Sequence, residues 1–579
     1  MAERIVVDPI TRIEGHLRIE AELDANNTIT SAYSSGTMVR GIELILQGRD
    51  PREAWAFTQR ACGVCTTVHS FASIRAVEDA LGIQIPKAAN LMRNMMIAQQ
   101  YVHDHVMHFY HLHALDWVDV VNALQADPAE TAAIQQAISP WPNSSPGYFA
   151  DVQRKVQAIV DSGQLSLFAN AYWGHPAYKL PPEINLLATA HYLEALDWQS
   201  HVTKIHTIFG GKNPHPNFVV GGVPMPIDLN SDTALNAERL SVISDSIDKI
   251  IAFVDQVYLP DVLAIAPYYL DYAGLGEGLG NFLTWGEFPD VDHNDTSKFL
   301  VPRAVIMNRD LGNIIEPDPT DMDLMKEFIA HSWYDYTDGD GVGRHPWAGE
   351  TAFNYTGPKP PYDYLEVEQK YTWLKAPRWN ETAMEVGPLA RVLAMYGKGH
   401  PQTVGLVDGT LEALGAPVEA LFSTLGRTAA RALESKVFAD HLRTLYNELI
   451  AEISAGNTKT FNGDKWEPTT WPREARGFGF MEAPRGALGH WVIIKDRKID
   501  NFQMVVPTTW NASPRDHKDQ PGAYEMSLVG TQMAKPEWPL EILRTVHSFD
   551  PCMACAIHMV DAEGNDLGET AVGLNVCVR

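Results

Sequence analysis

Four of the five cysteines in this chain form two Cys-x-x-Cys pairs, one near each end of the sequence. The first pair is Cys62 and Cys65, and the second is Cys552 and Cys555. Two intervening residues allow both sulfurs of a pair to face one metal ion, and thiolates favour soft or borderline metals. Five cysteines in 579 residues are too few for a disulfide scaffold. The pairs therefore indicate metal or redox chemistry.

Spacing alone leaves three interpretations of the pairs open. Four thiolates can close a structural zinc site, but the halves of such a site normally lie about 15–20 residues apart, and here they stand at opposite ends of the chain. The pairs could instead be two independent thioredoxin-like motifs, although neither opens a convincing βαβ unit. The third interpretation is a buried catalytic site with four thiolates, which joins the two ends of the chain.

The residues beside the pairs favour the third interpretation. Arg60 and His69 flank the first pair, and Asp550 and His558 flank the second. A structural zinc knot has no need of an arginine, histidines and an aspartate around it. A site that moves protons and holds small charged ligands does need such groups.

The elements that must position these residues are predicted to be mainly helical. Apolar periodicity predicts helices from Pro86 to about Trp117, over 232–259, over 427–455 and at about 536–547. In the helix predicted over 232–259, Asp232 is a candidate N-cap and Pro260 is a stop signal.

Two hairpins and one irregular region complete the prediction. Alternating residues predict a hairpin at 17–33 with its turn at Asn26-Asn27, and another at 490–506. Residues 270–380 are rich in glycine, proline and aromatic side chains, which indicates ordered but irregular covering structure. The fold class is therefore mainly α with peripheral β-hairpins (α+β).

Composition narrows the class of partner. Hydrophobic residues make up 45% of the chain, charged residues make up 20%, and the formal net charge is −27. This charge argues against a nucleic-acid partner, which requires clustered lysine and arginine.

No apolar run approaches the roughly 18–20 residues that span a bilayer. The N-terminus lacks the pattern of a signal peptide, so any export would depend on another chain.

The cysteine motifs have a family resemblance. RACGVCTTVH and DPCMACAIH resemble the signature motifs of nickel–iron hydrogenase large subunits, and four further segments resemble motifs of the same family: DPITRIEGH, GGKNPHP, EAPRGALGHW and VVPTTWN. Six motifs in the right order are a far more specific signal than one pattern. The resemblance implies a single large-subunit unit over residues 1–558, which is a large interwoven helical unit with both ends converging on a metal site.

The resemblance also implies a ligand set and a reaction. Cys62 and Cys552 correspond to terminal nickel ligands, and Cys65 and Cys555 correspond to bridges to an iron that carries cyanide and carbon monoxide. The implied reaction is the reversible heterolytic oxidation of H2 to two protons and two electrons. Thiolates suit this task because they are soft, can bridge two metals and can accept a proton.

Arg485 resembles the arginine that the family places over the metals, with Asp104 and Asp550 as the carboxylates that hold it. The alternative is a structural arginine paired with a buried carboxylate. Asp104 stands in a histidine-rich segment, HDHVMHFYHLH, at 103–113. Its histidines alternate over several faces of a helix. They are therefore expected to be core or subunit-interface residues rather than metal ligands.

Glu14 resembles the first proton acceptor beyond the thiolate of Cys552, and a carboxylate within hydrogen-bond reach of a thiol is a reasonable relay. The alternative is a Glu14 at a strand end that forms an ion pair with Arg12 or Arg18.

The resemblance also implies roles for five further residues. Thr508, beside Pro507, corresponds to the hydroxyl residue that binds a cyanide ligand, and His69 corresponds to a donor near the bridging sulfurs. Glu43 and His558 correspond to ligands of magnesium or a similar divalent ion near the C-terminus. A carboxylate suits such a hard ion better than an imidazole does.

The segment 559–579 resembles the C-terminal peptide that a maturation endopeptidase removes from family precursors after metal insertion. Removal after His558 would also remove Cys577, which is therefore not an expected ligand. The alternative is a native C-terminal strand.

The resemblance implies an iron–sulfur small subunit as the partner, in a heterodimer or a dimer of heterodimers. Beyond the two pairs the chain has only Cys577, which is too few for iron–sulfur clusters, since these usually take four cysteines each. A membrane cytochrome b or another acceptor would receive the electrons. The expected location is the periplasmic side of the cytoplasmic membrane, with the cytoplasm as the alternative.

The sequence leaves two alternative functions open. One is a dihydrogen-sensing regulatory hydrogenase subunit, against which the C-terminal peptide argues. The other is a zinc-stabilised structural or assembly protein.

Overall fold

The computed structural model describes residues 3–165, 168–169, 171–359 and 361–553. Within these ranges the α-helices are α1 Ile42–Leu46, α2 Ala54–Thr58, α3 Val68–Leu81, α4 Lys87–Met107, α5 Pro128–Ile138, α6 Pro146–Asp161, α7 Pro182–Val202, α8 Lys204–Gly210, α9 Ala237–Phe253, α10 Leu259–Ile265, α11 Pro388–Gly397, α12 Pro401–Leu414, α13 Thr424–Ser454, α14 Pro507–Asn511, α15 Ala523–Leu528 and α16 Leu540–His547. The strands are β1 Glu3–Val7, β2 Leu17–Leu23, β3 Ile29–Gly36, β4 Phe282–Thr284, β5 Ala304–Ile306, β6 Ile314–Ile315, β7 Met325–Phe328, β8 Ala376–Trp379, β9 Glu474–Ala483, β10 Gly486–Lys495 and β11 Lys498–Val505. The predicted α+β class is confirmed.

The strands form small antiparallel sheets in the orders β1-β2-β3, β11-β10-β9, β4-β5-β6 and β7-β8. Both predicted hairpins are present, as β2-β3 and β10-β11. The sequence did not predict β1 or β9. The region 270–380 is irregular apart from the short strands β4 to β8, as expected.

Strand β9 lies directly against helix α3, which follows the first cysteine pair. Two glycines permit this close approach. A Cβ atom at Gly479 would lie 1.9 Å from the carbonyl oxygen of Ala72, and one at Gly477 would lie 2.2 Å from that of Ala76. The β9–β10 turn is thereby brought next to the cysteines, because the sheet and α3 share one packed interface.

The long helices α4 and α13 pack along each other through the core. Both were predicted, and α13, at Thr424–Ser454, lies close to the predicted range 427–455. Helix α4 continues as a π-helix at His108–His113 and a 3₁₀ turn at Ala114–Asp116, which changes the direction of the histidine side chains.

The predicted helix over 232–259 differs from the structure at both ends. Helix α9 begins only at Ala237, where Asn236, and not Asp232, accepts the capping hydrogen bond. Pro260 does not stop the helix, because a π turn at Val254–Tyr258 precedes it and α10 begins afresh at Leu259. In the first turn of a helix, proline's missing N–H group costs nothing.

The segment Ala237–Gly274 is long and apolar enough to cross a membrane, contrary to the expectation from the sequence. Half of its most apolar window is buried inside the protein. A single such segment is weak evidence for a membrane span, because core helices meet the same criteria.

The N-terminal and C-terminal regions meet beside the cysteines. The N–H of Met553 donates to the carbonyl of Glu14 at 2.7 Å, and the N–H of Glu14 points to the carbonyl of Pro551 at 3.4 Å. Residues at both extremes of the described chain therefore belong to one interior structure.

Candidate metal centre

Three of the four predicted cysteine ligands lie side by side in the interior. The Sγ atom of Cys552 is 3.4 Å from that of Cys62 and 3.9 Å from that of Cys65. These distances are too long for a disulfide of about 2.05 Å. They are close to the separation of about 3.8 Å that follows for thiolates on one tetrahedral ion with bonds of about 2.3 Å. Cys555 lies outside the described residues.

The first pair is positioned by a tight turn before α3. The chain leaves the 3₁₀ turn Gln59–Ala61 and becomes extended at Cys62. The backbone N–H groups of Val64 and Cys65 then both point to Cys62 Sγ at 3.3 Å. Hydrogen bonds of this kind stabilise the charged form of the acceptor, so the turn favours a thiolate at Cys62.

The second pair is positioned by contacts with two distant segments. Asp550 turns the chain in the left-handed region, with φ of 57°, a conformation that aspartate tolerates better than most residues. The N–H of Cys552 donates to Thr508 Oγ1 at 3.1 Å. Its Sγ atom lies 3.4 Å from Glu14 Oε2, within reach of a thiol hydrogen bond.

The arginines that could have competed for Glu14 form ion pairs with other carboxylates. Arg12 contacts Asp116, and Arg18 contacts Glu20 at 2.7 Å. The described contacts of Glu14 therefore place its carboxylate next to the thiol of Cys552, as the relay interpretation requires.

Arg485 lies in the turn between β9 and β10 and is held by two carboxylates. Its Nη1 atom is 3.1 Å from Asp104 Oδ2, and its Nη2 atom is 3.0 Å from Asp550 Oδ1. All three side chains are buried. Burial opposes the charge of the guanidinium, but Asp550, Cys552 and Asp104 together hold the pKa of Arg485 well above its usual range. The arginine is therefore a fixed positive charge beside the sulfurs.

A small cavity lies between these groups. Cys65, His69, Arg485, Thr508 and Cys552 contribute to its wall. The remaining lining side chains are aliphatic: Val68, Ala483, Leu488, Val506 and Pro507. Such a cavity suits small, weakly polar molecules, because it offers few hydrogen bonds to water.

The ring of His69 lines this cavity. Its Nδ1 atom is 3.1 Å from His490 Nε2, whose other nitrogen is 3.0 Å from Ser73 Oγ. Burial lowers the pKa of His69 to about 4, so the ring is neutral at pH 7. Its Nε2 atom and Arg485 Nε are buried without a hydrogen-bond partner among the described residues. The gathered sulfurs and these two nitrogens fit a polar metal group bound between them.

Comparison with known families decides the class of this centre. A model described as nickel-dependent hydrogenase matches residues 40–558, and one described as HoxL-like matches residues 4–35. The chain belongs to the nickel-dependent hydrogenase family. The chain is therefore a hydrogenase large subunit, an oxidoreductase that acts on H2, and its family supports a nickel–iron centre. The three converging sulfurs are consistent with a metal site.

Curated hydrogenases match over almost the whole length of this one. The uptake hydrogenase large subunit of Bradyrhizobium diazoefficiens is 55% identical, over 98% of this chain and 97% of that protein. The hydrogenase-1 large chain of Escherichia coli strain K12 is 51% identical, over 97% and 96%. Because these relatives are large subunits, this hydrogenase chain also has a small-subunit partner.

Solved hydrogenases share the fold. A variant of the [NiFeSe] hydrogenase from Desulfovibrio vulgaris Hildenborough aligns with a TM-score of 0.75 and 32% identity, covering 96% of this chain and 99% of that one. The Ni-Fe-Se hydrogenase of Desulfomicrobium baculatum aligns with a TM-score of 0.72 and 30% identity, covering 96% and 100%.

The predicted second ion site of this hydrogenase is described only in part. Glu43 Oε1 accepts the N–H of Met504 at 2.9 Å, and Glu43 borders a cavity. Glu327 and Lys375, which sequence reasoning missed, line the same cavity and lie 3.5 Å apart. Burial raises the pKa of Glu327 to about 7. His558 lies outside the described residues.

A buried ion-pair chain beside Asp104 was also missed. His105 is 2.6 Å from Glu434, which receives two hydrogen bonds from Arg391, and Arg391 is 3.1 Å from Glu482. Burial raises the pKa of Glu482 to about 8. Only Glu482 carried a sequence signal, because it stands in the EAPRG segment. The buried positions of His105, His108 and His113 agree with the core role expected for most of the histidine-rich segment.

Proposed function

We propose that Cys62 and Cys552 are terminal nickel ligands, and that Cys65 and Cys555 bridge nickel to an iron carrying cyanide and carbon monoxide. The convergence of three sulfurs from both chain ends carries this proposal. When bound, the nickel–iron centre supplies the electron-pair acceptor and the redox chemistry that the cleavage of H2 requires. The remaining groups of the site are residues of this chain.

Arg485 stabilises negative charge beside the metals. The two carboxylates, Asp104 and Asp550, fix its position, and its charge is buried, where electrostatic stabilisation is strong. A guanidinium does not readily give up its proton. We therefore assign it an electrostatic role rather than the role of a base.

Glu14 carries the proton away from the site. When H2 is split, the thiolate of Cys552 accepts a proton on Sγ, and the carboxylate of Glu14 takes it over from 3.4 Å. Glu14 also belongs to the segment 11–15, whose residues are all partly exposed. Its position supports an exit for protons towards the surface.

Thr508, Pro507 and His69 enclose the iron ligands. The hydroxyl of Thr508 is suited to donate to a cyanide nitrogen, and the ring of Pro507 contributes to the apolar wall. His69 lines the same cavity, and its Nε2 atom, which has no hydrogen-bond partner among the described residues, is suited to donate to a bridging sulfur.

Glu43 and His558 hold a magnesium or similar divalent ion. The carboxylate of Glu43 borders a cavity that Glu327 and Thr351 also line, so oxygen ligands of the kind that hard ions prefer are present there. The contribution of His558 rests on its motif position.

The partner that accepts the electrons is an iron–sulfur small subunit, from which a membrane cytochrome b or another acceptor takes them. We place the complex at the periplasmic side of the cytoplasmic membrane. The similarity to uptake hydrogenases supports association with a membrane, and the periplasmic side follows from the motif resemblance.

The segment 559–579 is removed by an endopeptidase after His558 once the metal is in place. The end of the family match at residue 558 supports this proposal. The intact mass of the active chain tests it: a chain ending at His558 is expected, and an active chain of full length would rule it out.

Metal analysis of the purified heterodimer tests the ligand assignment. We expect one nickel and one additional iron per large subunit, above the iron of the small subunit. Replacing Cys62 by serine is expected to remove nickel, because an alcohol is a far poorer ligand for it. Zinc in place of nickel in the active complex would contradict the assignment.

A further inference from the structure

A second buried cluster of titratable side chains lies away from the cysteines, around Asp116. Its carboxylate is fully buried and receives three donors from three parts of the chain. Arg12 contacts Oδ1, while His547 Nδ1 and His113 Nδ1 lie 2.6 Å and 3.0 Å from Oδ2. Although burial opposes ionisation, Arg12 and the imidazole of His547 hold the pKa of Asp116 well below its usual range.

The same cluster contacts two successive residues of the N-terminal segment, Thr11 and Arg12. His547 Nε2 lies 2.8 Å from the carbonyl oxygen of Thr11, and the guanidinium of Arg12 also contacts the carbonyl of Leu112. Arg12 has a φ of 55°, in the left-handed region that a branched or long side chain rarely adopts without support. The contacts with His547 and Asp116 provide that support.

The geometry of the cluster does not call for a metal ion. The guanidinium of Arg12 contacts the one carboxylate that an ion would need. His113 Nε2 is engaged with Thr428 Oγ1 and the indole N–H of Trp117. Both carboxylate oxygens of Asp116 and both ring nitrogens of His113 and His547 thus have polar partners already. This is the state expected of a permanent buried network.

Glu14 lies two residues beyond Arg12, so at most about 7 Å of extended chain separates their Cα atoms. On the other side, His547 ends α16, and Cys552 follows five residues later. The cluster therefore fixes both segments whose side chains meet at the Cys552–Glu14 contact.

We propose that Asp116, His547 and Arg12 form a positioning latch for proton transfer: they hold the Thr11–Glu14 segment against the C-terminal segment, so that the Glu14 carboxylate stays within reach of the Cys552 thiol. This inference rests on the relay role proposed for Glu14. None of the three latch residues contacts the sulfurs among the described interactions, so they act through Glu14 and not on H2 itself.

The test uses His547→Gln in the assembled, nickel-loaded heterodimer, and it separates H2 cleavage from proton release. Interconversion of para- and ortho-hydrogen requires cleavage and re-formation of H2 inside the site. Exchange of D2 with water also requires the proton to leave. We expect exchange and H2 oxidation, per nickel, to fall about ten-fold or more in this variant, because a misplaced relay loses rate steeply with distance. Para–ortho conversion is expected to stay within about two-fold of the wild type.

A matched control is available in the buried pair of His191 and Asp261, whose atoms lie 2.7 Å apart on α7 and α10. His191→Gln is expected to leave both readouts per nickel unchanged. Arg12→Lys, which keeps the charge but shortens the reach, is a second test of the latch and is expected to resemble His547→Gln.

Three outcomes would overturn the latch. One is undiminished exchange in nickel-loaded His547→Gln. Another is an equal loss of exchange and para–ortho conversion. The third is a loss of activity, in both latch variants, that the loss of nickel fully explains. Glu14→Gln distinguishes a failure of the latch from a failure of the relay. If Glu14→Gln exchanges D2 with water at the normal rate, the relay role of Glu14 is wrong. If Glu14→Gln loses exchange, the relay role stands and only the latch is wrong.

Discussion

Replacing Glu14 by glutamine is expected to lower H2 oxidation about a hundred-fold or more, with nickel still bound. The amide keeps the size of the side chain but cannot take a proton from the thiol of Cys552 at 3.4 Å. General acid–base groups typically contribute 10²- to 10⁴-fold to a rate. The measurement is the H2 oxidation rate per nickel of the purified heterodimer, together with D2 exchange against water.

The control for this experiment is Glu22→Gln on strand β2, which removes one carboxylate from the same N-terminal region. We expect its rate per nickel to stay close to that of the wild type. If Glu14→Gln oxidised H2 as fast as Glu22→Gln, protons would have to leave by another route, and the assignment of Glu14 would fail.

Replacing Arg485 by lysine is the second large expected effect. Lysine keeps the positive charge, but its single ammonium group cannot bridge Asp104 and Asp550, which contact two different nitrogens of the guanidinium. The ammonium would be drawn to one carboxylate, and the charge would no longer point at the metals. Removal of one preorganised electrostatic donor typically costs 10²- to 10³-fold in rate. We therefore expect a loss of about that size at unchanged nickel content.

Arg93→Lys provides the matched control, because Arg93 is equally buried and pairs with Glu78 through two nitrogens at 2.7 and 2.8 Å. This change is expected to lower the melting temperature while leaving the rate per nickel near that of the wild type. An Arg485→Lys enzyme that lost stability but not rate per nickel would show that Arg485 is merely structural.

Elements with local signals could be predicted from the sequence, and elements defined by distant partners could not. The hairpin β2-β3 follows from alternation and the Asn26-Asn27 turn, and α13 follows from its apolar periodicity. Pro260 was misinterpreted because the π turn that precedes it has no recognisable sequence pattern. Strand β9 was missed because its glycines, selected by contact with α3, weaken the strand pattern.

The same distinction applies to the candidate site. Cysteine spacing alone left zinc, thioredoxin-like and catalytic interpretations open, and only the family motifs favoured one of them. Arg485, Asp104 and Asp550 were predicted through motif positions, and the structure places them in contact. Asp116 and His547 gave no signal, since they are 431 positions apart and neither stands in a metal-ligand pattern.

The central claim is that the converging cysteines hold a nickel–iron centre whose iron carries cyanide and carbon monoxide. Infrared spectroscopy of the purified, active heterodimer tests it most directly, because triple-bonded diatomic ligands absorb where protein groups do not. We expect bands of metal-bound cyanide and carbon monoxide that shift on reduction with H2 and are lost in Cys62→Ser. An active enzyme without such bands would contradict the claim.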